Sequence, residues 1–189
     1  LVKFVIAKLS AAGIKGLPEE PIPLGAAAEL EALLNGTVDA VVGTPPECID
    51  AIRHGCKYLV DFAEYGLNYA LGGIAARRDY IENNPEITRK FVTAYVEGMH
   101  RYRTDREFTI DVQADYSGIA DRTIAAETYD LTQPGMPRAP YPVVASLQTL
   151  LDFMANELPE ARGVDAQRFV DDRFIRELED NGFINSLTK

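Results

Sequence analysis

The chain contains 189 residues, of which 47% are hydrophobic and 25% charged, and this composition is typical of a globular protein rather than a disordered one. Its net charge of -10 argues against nucleic acid or an anionic membrane as the main partner. A chain of this length suits one large domain or two small lobes, and no apolar run approaches the ~20 residues that span a bilayer.

The first part of the chain, residues 1–64, alternates between the patterns of helices and strands. In chain order we predict a helix, a proline-rich edge strand, a helix, a buried strand, a helix and a final strand, at residues 1–12, 21–24, 26–35, 38–42, 45–54 and 57–61. The spacing of apolar residues and the glycines that follow the predicted helices support these assignments. Alternation at such short spacing is typical of a parallel sheet covered by helices.

A short segment at residues 65–76 follows, in which glycines flank an extended apolar run. We interpret this segment either as a hinge strand that crosses between two lobes or as a tightly packed interior strand. The composition of the segment does not distinguish these two interpretations.

The remainder of the chain, residues 77–189, is almost entirely helical in pattern. Asn84 and Pro85 predict the start of a long helix, because proline suits the first helical position. On one face of that helix, apolar residues recur at spacings of three and four, namely at Ile87, Phe91, Tyr95, Met99 and Tyr102. Four further helices are predicted, with a proline-rich loop at residues 132–142 and a glycine cap, Gly182, after the last.

The two cysteines of the chain are Cys48 and Cys56. Both lie on or beside one predicted helix, where a rise of about 1.5 Å per residue separates their Cα atoms by roughly 12 Å. A disulfide needs Cα atoms within about 7 Å, so we expect free, partly buried thiols. No cysteine or histidine cluster has the spacing of a metal site, and we expect neither a metal nor a cofactor.

Four motifs follow one another along the chain. They read ALLNGTVDAVVGTPPECIDAIRHGCKYLVD, NNPEITRKFVTAYVEGMHRY, PYPVVASLQTLLDFM and RFVDDRFIRELEDNGFI. In this order and spacing, the chain resembles the substrate-binding proteins of ABC importers, in the group for nitrate, sulfonates, taurine and thiamine precursors. The resemblance extends from about residue 21 to residue 184.

The resemblance implies an α/β fold with two lobes, the type II periplasmic-binding-protein fold, in which a parallel-sheet lobe accompanies a helix-rich C-terminal part. Residues 1–64 would form the second, inserted lobe, incomplete at its start. Residues 65–76 would form the crossing segment, and residues 77–189 the returning part of the first lobe. The opening strands of the first lobe and the first strand of the second have no counterpart here, so we expect the N-terminal section of the fold to be missing.

The resemblance also implies a function. Such a protein captures a small organic molecule or an oxyanion between its lobes and delivers it to a membrane permease, without catalysis. The expected partners are therefore the small-molecule solute and an ABC permease of the inner membrane. We expect the protein to be a monomer, located in the periplasm or held at the cell surface by a lipid anchor.

Two junctions between a predicted strand and a helix are candidates for the ligand site. Ligands bind beyond the carboxyl ends of parallel strands, where helix N-termini present unpaired N–H groups. The first junction consists of Gly25 and Ala26, whose small size lets a ligand approach the backbone. The second consists of Gly43, Thr44 and Pro45, where the Thr44 hydroxyl can either bind a ligand or cap the helix.

The crossing segment supplies three more candidates, Tyr65, Asn68 and Tyr69. Aromatic rings with polar groups suit a cleft for a small organic solute, although packing with a satisfied hydroxyl also explains them. Glu47, in the first turn after the second junction, would repel an anion. If the solute is an anion, we therefore expect Glu47 to point away from it. The absence of tryptophan and the scarcity of arginines at cleft positions favour an uncharged or aromatic solute, and an anion such as nitrate, bicarbonate or a sulfonate stays open.

Two other functions stay open on the sequence. The first is an enzyme on the same scaffold, because some relatives make the thiamine pyrimidine with a cysteine-rich motif, or remove sulfinate with a nucleophilic cysteine. The absence of clustered cysteines and the position of Cys48 inside a predicted helix disfavour it. The second is the effector-binding domain of a LysR-type regulator, which is disfavoured because such domains begin with a strand and lack a long helical tail.

Overall fold

The computed structural model describes residues 25–61, 70 and 72–187 of the chain. The chain divides into two compact units, Leu1–Gly66 and Leu67–Lys189. The helix predicted at residues 1–12 and the edge strand predicted at residues 21–24 lie outside the described residues.

The described part of the chain is helical. Its α-helices are α1 Ala26–Leu34, α2 Glu47–Arg53, α3 Arg78–Asn83, α4 Pro85–Thr104, α5 Arg106–Ser117, α6 Arg122–Thr132, α7 Val144–Met154, α8 Arg173–Asp180 and α9 Phe183–Ser186. Short 3-10 helices occupy Gln133–Gly135, Pro159–Ala161 and Ala166–Phe169. The two helices predicted between residues 26 and 54, the long helix predicted at Pro85 and the four after it are all present. The sequence patterns do not predict α9 or the 3-10 helices.

Local sequence signals set the bounds of these helices. After α1, Asn35 is the C-cap and Gly36 takes a φ of +76°, which fits the predicted glycine stop. As predicted, α4 begins at Pro85, directly after Asn84. At the start of α5 the Asp105 carboxylate accepts a hydrogen bond from the Phe108 N–H at 3.2 Å and caps the helix.

The parallel sheet predicted from the sequence is not confirmed. Residues 38–42 and 57–61, both predicted as strands, lie in coil, and no residue of the described ranges belongs to a β-strand. A strand exists only through the hydrogen bonds that it shares with a neighbouring strand. The two segments form no such ladder with each other, and the predicted edge strand at 21–24 lies outside the described residues. An apolar pattern therefore did not suffice to specify a sheet.

The first unit has a small described core. Its two helices, α1 and α2, pack against each other. Ala32 of α1 and Ile49 and Ala51 of α2 are buried. Cys48 and Cys56 are both free and half-buried, as the helix geometry predicts.

The second unit has two hydrophobic clusters. In the first, Val96 of α4 lies with Ile175 and Leu178 of α8 and Ile184 of α9. At the edge of the contact between α4 and α8, Arg89 donates from Nε to a carboxylate oxygen of Glu177 at 2.8 Å. This cluster joins the long helix to the C-terminal part of the chain.

The second cluster lies between α5 and α6. It contains Ile110, Ala125 and Tyr129, and Ile110 is completely buried. Across the surface of the same helix pair, Arg106 donates two hydrogen bonds to Asp130, at 3.0 and 2.8 Å, and this lowers the pKa of the Asp130 carboxyl. Apolar burial inside and ion pairs outside therefore hold the two helices together.

Helix α4 turns only one of its apolar faces towards the core. Val92 and Val96 face the cluster with α8, and Val96 is 1% exposed. By contrast, Ile87, Phe91 and Tyr95 are 56%, 52% and 41% exposed. The apolar stripe identified in the sequence is therefore exposed at these three positions.

Helix α7 has no buried residue. The Gln148 side chain connects it to the segment that follows. Its Nε2 donates to the Val164 carbonyl at 3.1 Å, and its Oε1 accepts from the Ala166 N–H at 2.9 Å. One amide side chain thus bonds to the backbone on both sides of residue 165.

Candidate functional site

The second predicted junction forms a turn that leads into α2. Gly43 and Thr44 are exposed, Pro45 is half-buried, and the peptide bond between Pro45 and Pro46 is cis. The Thr44 carbonyl accepts a hydrogen bond from the Cys48 N–H at 3.1 Å, which joins the turn to the helix. The turn therefore offers exposed backbone and a hydroxyl on a fixed support.

The Thr44 hydroxyl does not cap α2. Pro46 is the N-cap residue, without a side-chain cap, and within the described part of the chain Thr44 Oγ1 makes no hydrogen bond. Thr88 and Thr93 of α4 behave differently, because they donate to the carbonyls four residues before them at 2.9 and 2.8 Å. The sequence left two roles open for the Thr44 hydroxyl, capping the helix or binding a ligand, and the geometry favours ligand binding.

Cys48 supports the turn from behind. A Cβ placed on Gly43 would lie 3.4 Å from the Cys48 Cβ, so the backbone of Gly43 passes close to this side chain. Tyr58 donates from its hydroxyl to Cys48 Sγ at 3.3 Å. That hydrogen bond, together with burial, raises the pKa of Tyr58 to about 12, so its phenol stays protonated at neutral pH.

The first predicted junction is the N-terminus of α1. Gly25 is its N-cap, with extended backbone at φ -80° and ψ 158° and without a side-chain cap. Gly25 is exposed, and a Cβ there would meet no atom within 4 Å. Ala26 is the first residue of α1. Among the described residues, the glycine at position 25 thus leaves room beside the backbone at the start of the helix.

The first turn of α2 is acidic. Glu47 and Asp50 both lie in it. The positive end of a helix dipole favours these carboxylates, but their negative charge opposes an anionic ligand at the same place. The electrostatics of the turn therefore fit an uncharged solute better than an anion.

The structure brings together only part of the predicted site. Gly43, Thr44 and Pro45 form one turn in the first unit, and Gly25 with Ala26 begins the helix that packs on α2. Tyr65, Asn68 and Tyr69 lie outside the described residues. The interpretation of residues 65–76 as a crossing strand therefore stays a prediction.

Sequence reasoning missed Tyr58 and the supporting role of Cys48. Tyr58 belongs to a segment predicted as a strand, which lies in coil, and its side chain is 57% exposed. Its hydrogen bond to Cys48 joins residues ten apart in different elements. No local pattern encodes such a contact, so the sequence alone offered no signal for it.

Metal binding has no support in the described ranges, because they contain no group of three or more histidine, cysteine, aspartate or glutamate side chains that could hold an ion. The described helices also include none that is long and apolar enough to cross a membrane.

Comparison with known proteins identifies a family. The profile of the family described as NMT1/THI5 like matches residues 7–105, just over half of the chain. The matched region contains both predicted junctions and the segment with Tyr65, Asn68 and Tyr69. No curated protein and no solved structure matches the chain.

Proposed function

The chain belongs to the NMT1/THI5-like family, and from this premise we propose that it is the solute-binding component of an ABC importer. The family supports a substrate-binding or related role, and it also includes proteins of thiamine synthesis. In the proposed role, the protein captures a small organic solute and delivers it to a permease of the inner membrane. It would act in the periplasm or from a lipid anchor at the cell surface.

The observation that carries this proposal is the turn at Gly43, Thr44 and Pro45, which lies inside the matched region. It presents exposed backbone and a hydroxyl that makes no hydrogen bond within the described residues, as suits a ligand contact. Cys48 lies against the backbone of Gly43, and Tyr58 donates a hydrogen bond to Cys48 Sγ. We propose that the solute approaches Thr44 from the open side and that Gly43 lets it come close to the backbone.

We further propose an uncharged or aromatic solute. The acidic first turn of α2, with Glu47 and Asp50, disfavours an anion at this place. The exposed ring of Tyr58 offers an apolar surface next to the turn. Tyr65 and Tyr69 would add aromatic surface if they line the same cleft, as the sequence predicts.

A thermal-shift titration of the full chain tests the proposal. We would titrate an aminopyrimidine alcohol of the thiamine type, an aromatic acid, taurine and nitrate. A bound solute raises the melting temperature by mass action, and a hundredfold excess over its Kd stabilises the protein by about 2.7 kcal/mol. We expect the uncharged pyrimidine to raise the melting temperature most and the aromatic acid, an anion at neutral pH, to raise it less, while zwitterionic taurine and anionic nitrate serve as non-aromatic comparisons.

Recovery of the solute distinguishes binding from catalysis. After incubation with the protein, a transported solute returns chemically unchanged, as chromatography or NMR would show. Conversion of the solute to a new compound would overturn the transport proposal and favour an enzyme on the same scaffold. If every solute class leaves the melting temperature unchanged, the proposed binding function is wrong for these classes.

A further inference from the structure

The outer face of α4 carries the regular pattern of a helix that packs against another helix. We define this outer face as Ile87, Phe91, Ala94 and Gly98. Their spacings alternate between four and three residues, as do the a and d positions of a coiled coil. All four residues are exposed, and Ile87 and Phe91 are more than half exposed.

Gly98 is unfavourable for the helix that contains it. A glycine in the middle of a helix is less stable than alanine, and α4 continues for six residues beyond Gly98. Nothing in the described part of the chain requires a glycine here, because a Cβ at this position would meet none of its atoms within 4 Å. Close approach of a group from another molecule would explain the choice.

Two opposite charges border the outer face on one edge. Lys90 and Glu97 are seven residues apart, which is two helical turns, so they lie on the same side of α4. Both are exposed, and neither makes an ion pair within the described part of the chain. They occupy the edge position from which coiled-coil helices form interhelical ion pairs.

These features are self-complementary in one arrangement. When a second α4 runs antiparallel, Ile87 lies opposite Gly98 of the second copy and Phe91 opposite Ala94 of the second copy, and the two reciprocal contacts follow by symmetry. Every layer then pairs a large residue with a small one. In the same register, Lys90 approaches Glu97 of the second copy at both ends of the contact.

We propose that the outer face of α4 binds a second copy of this chain in an antiparallel, two-fold symmetric dimer. The resemblance of the sequence predicts a monomer, but an open face with this pattern fits an isologous partner, in which one patch must complement itself. The contact involves a single helix from each copy, so the dimer is expected to be weak and dependent on concentration.

Analytical ultracentrifugation of the full chain over a wide concentration range tests this proposal. We expect a monomer–dimer equilibrium for the wild type. Phe91→Glu should weaken association more than about tenfold, because it places a charge in the apolar seam. Leu131→Glu is the matched control, since Leu131 of α6 is 58% exposed and lies outside the outer face, and it should leave association unchanged.

A charge exchange tests the register. Lys90→Glu alone should weaken the dimer, because it places like charges opposite each other. The double variant Lys90→Glu/Glu97→Lys restores opposite charges at both ends and should recover the wild-type association. Failure of the double variant to recover association would overturn the proposed antiparallel register.

Gly98→Leu separates dimerisation from folding. Leucine raises helix propensity, so the variant should unfold at a higher denaturant concentration under dilute, monomeric conditions. It should nevertheless lose association, because the small position opposite Ile87 is filled.

A wild type that stays monomeric at every concentration would overturn the proposal. A dimer that Phe91→Glu does not weaken would also overturn it. If the protein is a monomer and hydrogen exchange shows that α4 is covered, another part of the polypeptide occupies the outer face, and the dimer proposal is wrong.

Discussion

At the scale of single residues, threonines of this chain differ in the hydrogen bonds that their hydroxyls make. Thr88, Thr93 and Thr104 lie in α4 and donate to carbonyls four residues before them, at 2.8 to 2.9 Å. Thr44 lies in a turn and has no such partner in the described residues. A hydroxyl that the protein does not use internally is available to a ligand at the lowest energetic cost.

We therefore predict that Thr44→Ala lowers solute affinity without lowering stability. Because Thr44 does not cap α2, its removal should leave the free energy of unfolding within about 0.5 kcal/mol of the wild type. The loss of one hydrogen bond to an uncharged solute should weaken binding by about 1 kcal/mol, or roughly fivefold. Isothermal titration calorimetry and urea denaturation measure the two quantities.

Asp105→Ala provides the matched control. Asp105 is a true side-chain cap of α5, and its loss should lower the free energy of unfolding by about 1 kcal/mol while affinity stays the same. If Thr44→Ala behaves like Asp105→Ala, the Thr44 hydroxyl is a structural group and not a ligand contact.

Tyr141 gives the chain a pH dependence in the alkaline range. Its hydroxyl donates to Glu179 Oε2 at 2.6 Å, which raises the pKa of Tyr141 from 10.0 to about 12. A raised pKa means that the folded state holds the proton more tightly than the unfolded state. The stabilisation is therefore complete below pH 10 and is lost as the pH rises towards 12.

We predict that Tyr141→Phe lowers stability near neutral pH and that its difference from the wild type shrinks between pH 10 and pH 12. Urea denaturation of both proteins across this range measures the difference. Tyr116→Phe is the control, because Tyr116 is 91% exposed and its loss should have no effect at any pH. A difference that grows with pH would contradict the assigned hydrogen bond.

At the scale of elements, the helices predicted within the described residues are present, whereas the strands predicted at residues 38–42 and 57–61 are not. Helix starts and stops depend on local features such as Pro85 and Gly36, whose effects act within one turn. The strand predicted at residues 38–42 depends on a partner strand that no local pattern specifies. The apolar spacing in α4 likewise identified a face of the helix but did not specify the neighbour that covers it.

Burial, rather than apolar character, should decide how much each residue of α5 contributes. Ile110 is completely buried between α5 and α6, whereas Val112 on the same helix is 48% exposed. We predict that Ile110→Ala lowers the free energy of unfolding by about 3 kcal/mol, through lost burial and a new cavity. Val112→Ala should change it by less than about 0.5 kcal/mol, and chemical denaturation measures both. Equal effects would show that the α5–α6 cluster is not packed as described.

At the scale of the whole molecule, the candidate site could be predicted only in part. The turn at Gly43 and Thr44 follows from a general rule about strand ends and helix starts, and it holds a suitable geometry even though the strand is absent. Tyr58 was missed because its contact with Cys48 depends on tertiary structure. The family match supports a binding role, but it does not identify the solute.

The division into two units predicts two steps in unfolding. Each unit has its own buried residues, such as Ile49 in the first and Ile110 in the second, and chains with separate cores depart from two-state behaviour. We expect Ile49→Ala to lower only one calorimetric transition and Ile110→Ala to lower only the other. A single transition lowered by both variants would show that the units unfold together.

The Gln148 contact has a consequence for evolution. This side chain donates to the Val164 carbonyl and accepts from the Ala166 N–H at the same time. A carboxylate cannot donate and an ammonium cannot accept, so among side chains of this length only an amide serves both ends. Glutamate, although nearly identical in shape, would place an anion against a carbonyl oxygen. We therefore expect homologous sequences to keep Gln148, whereas exposed positions such as Ala145 vary.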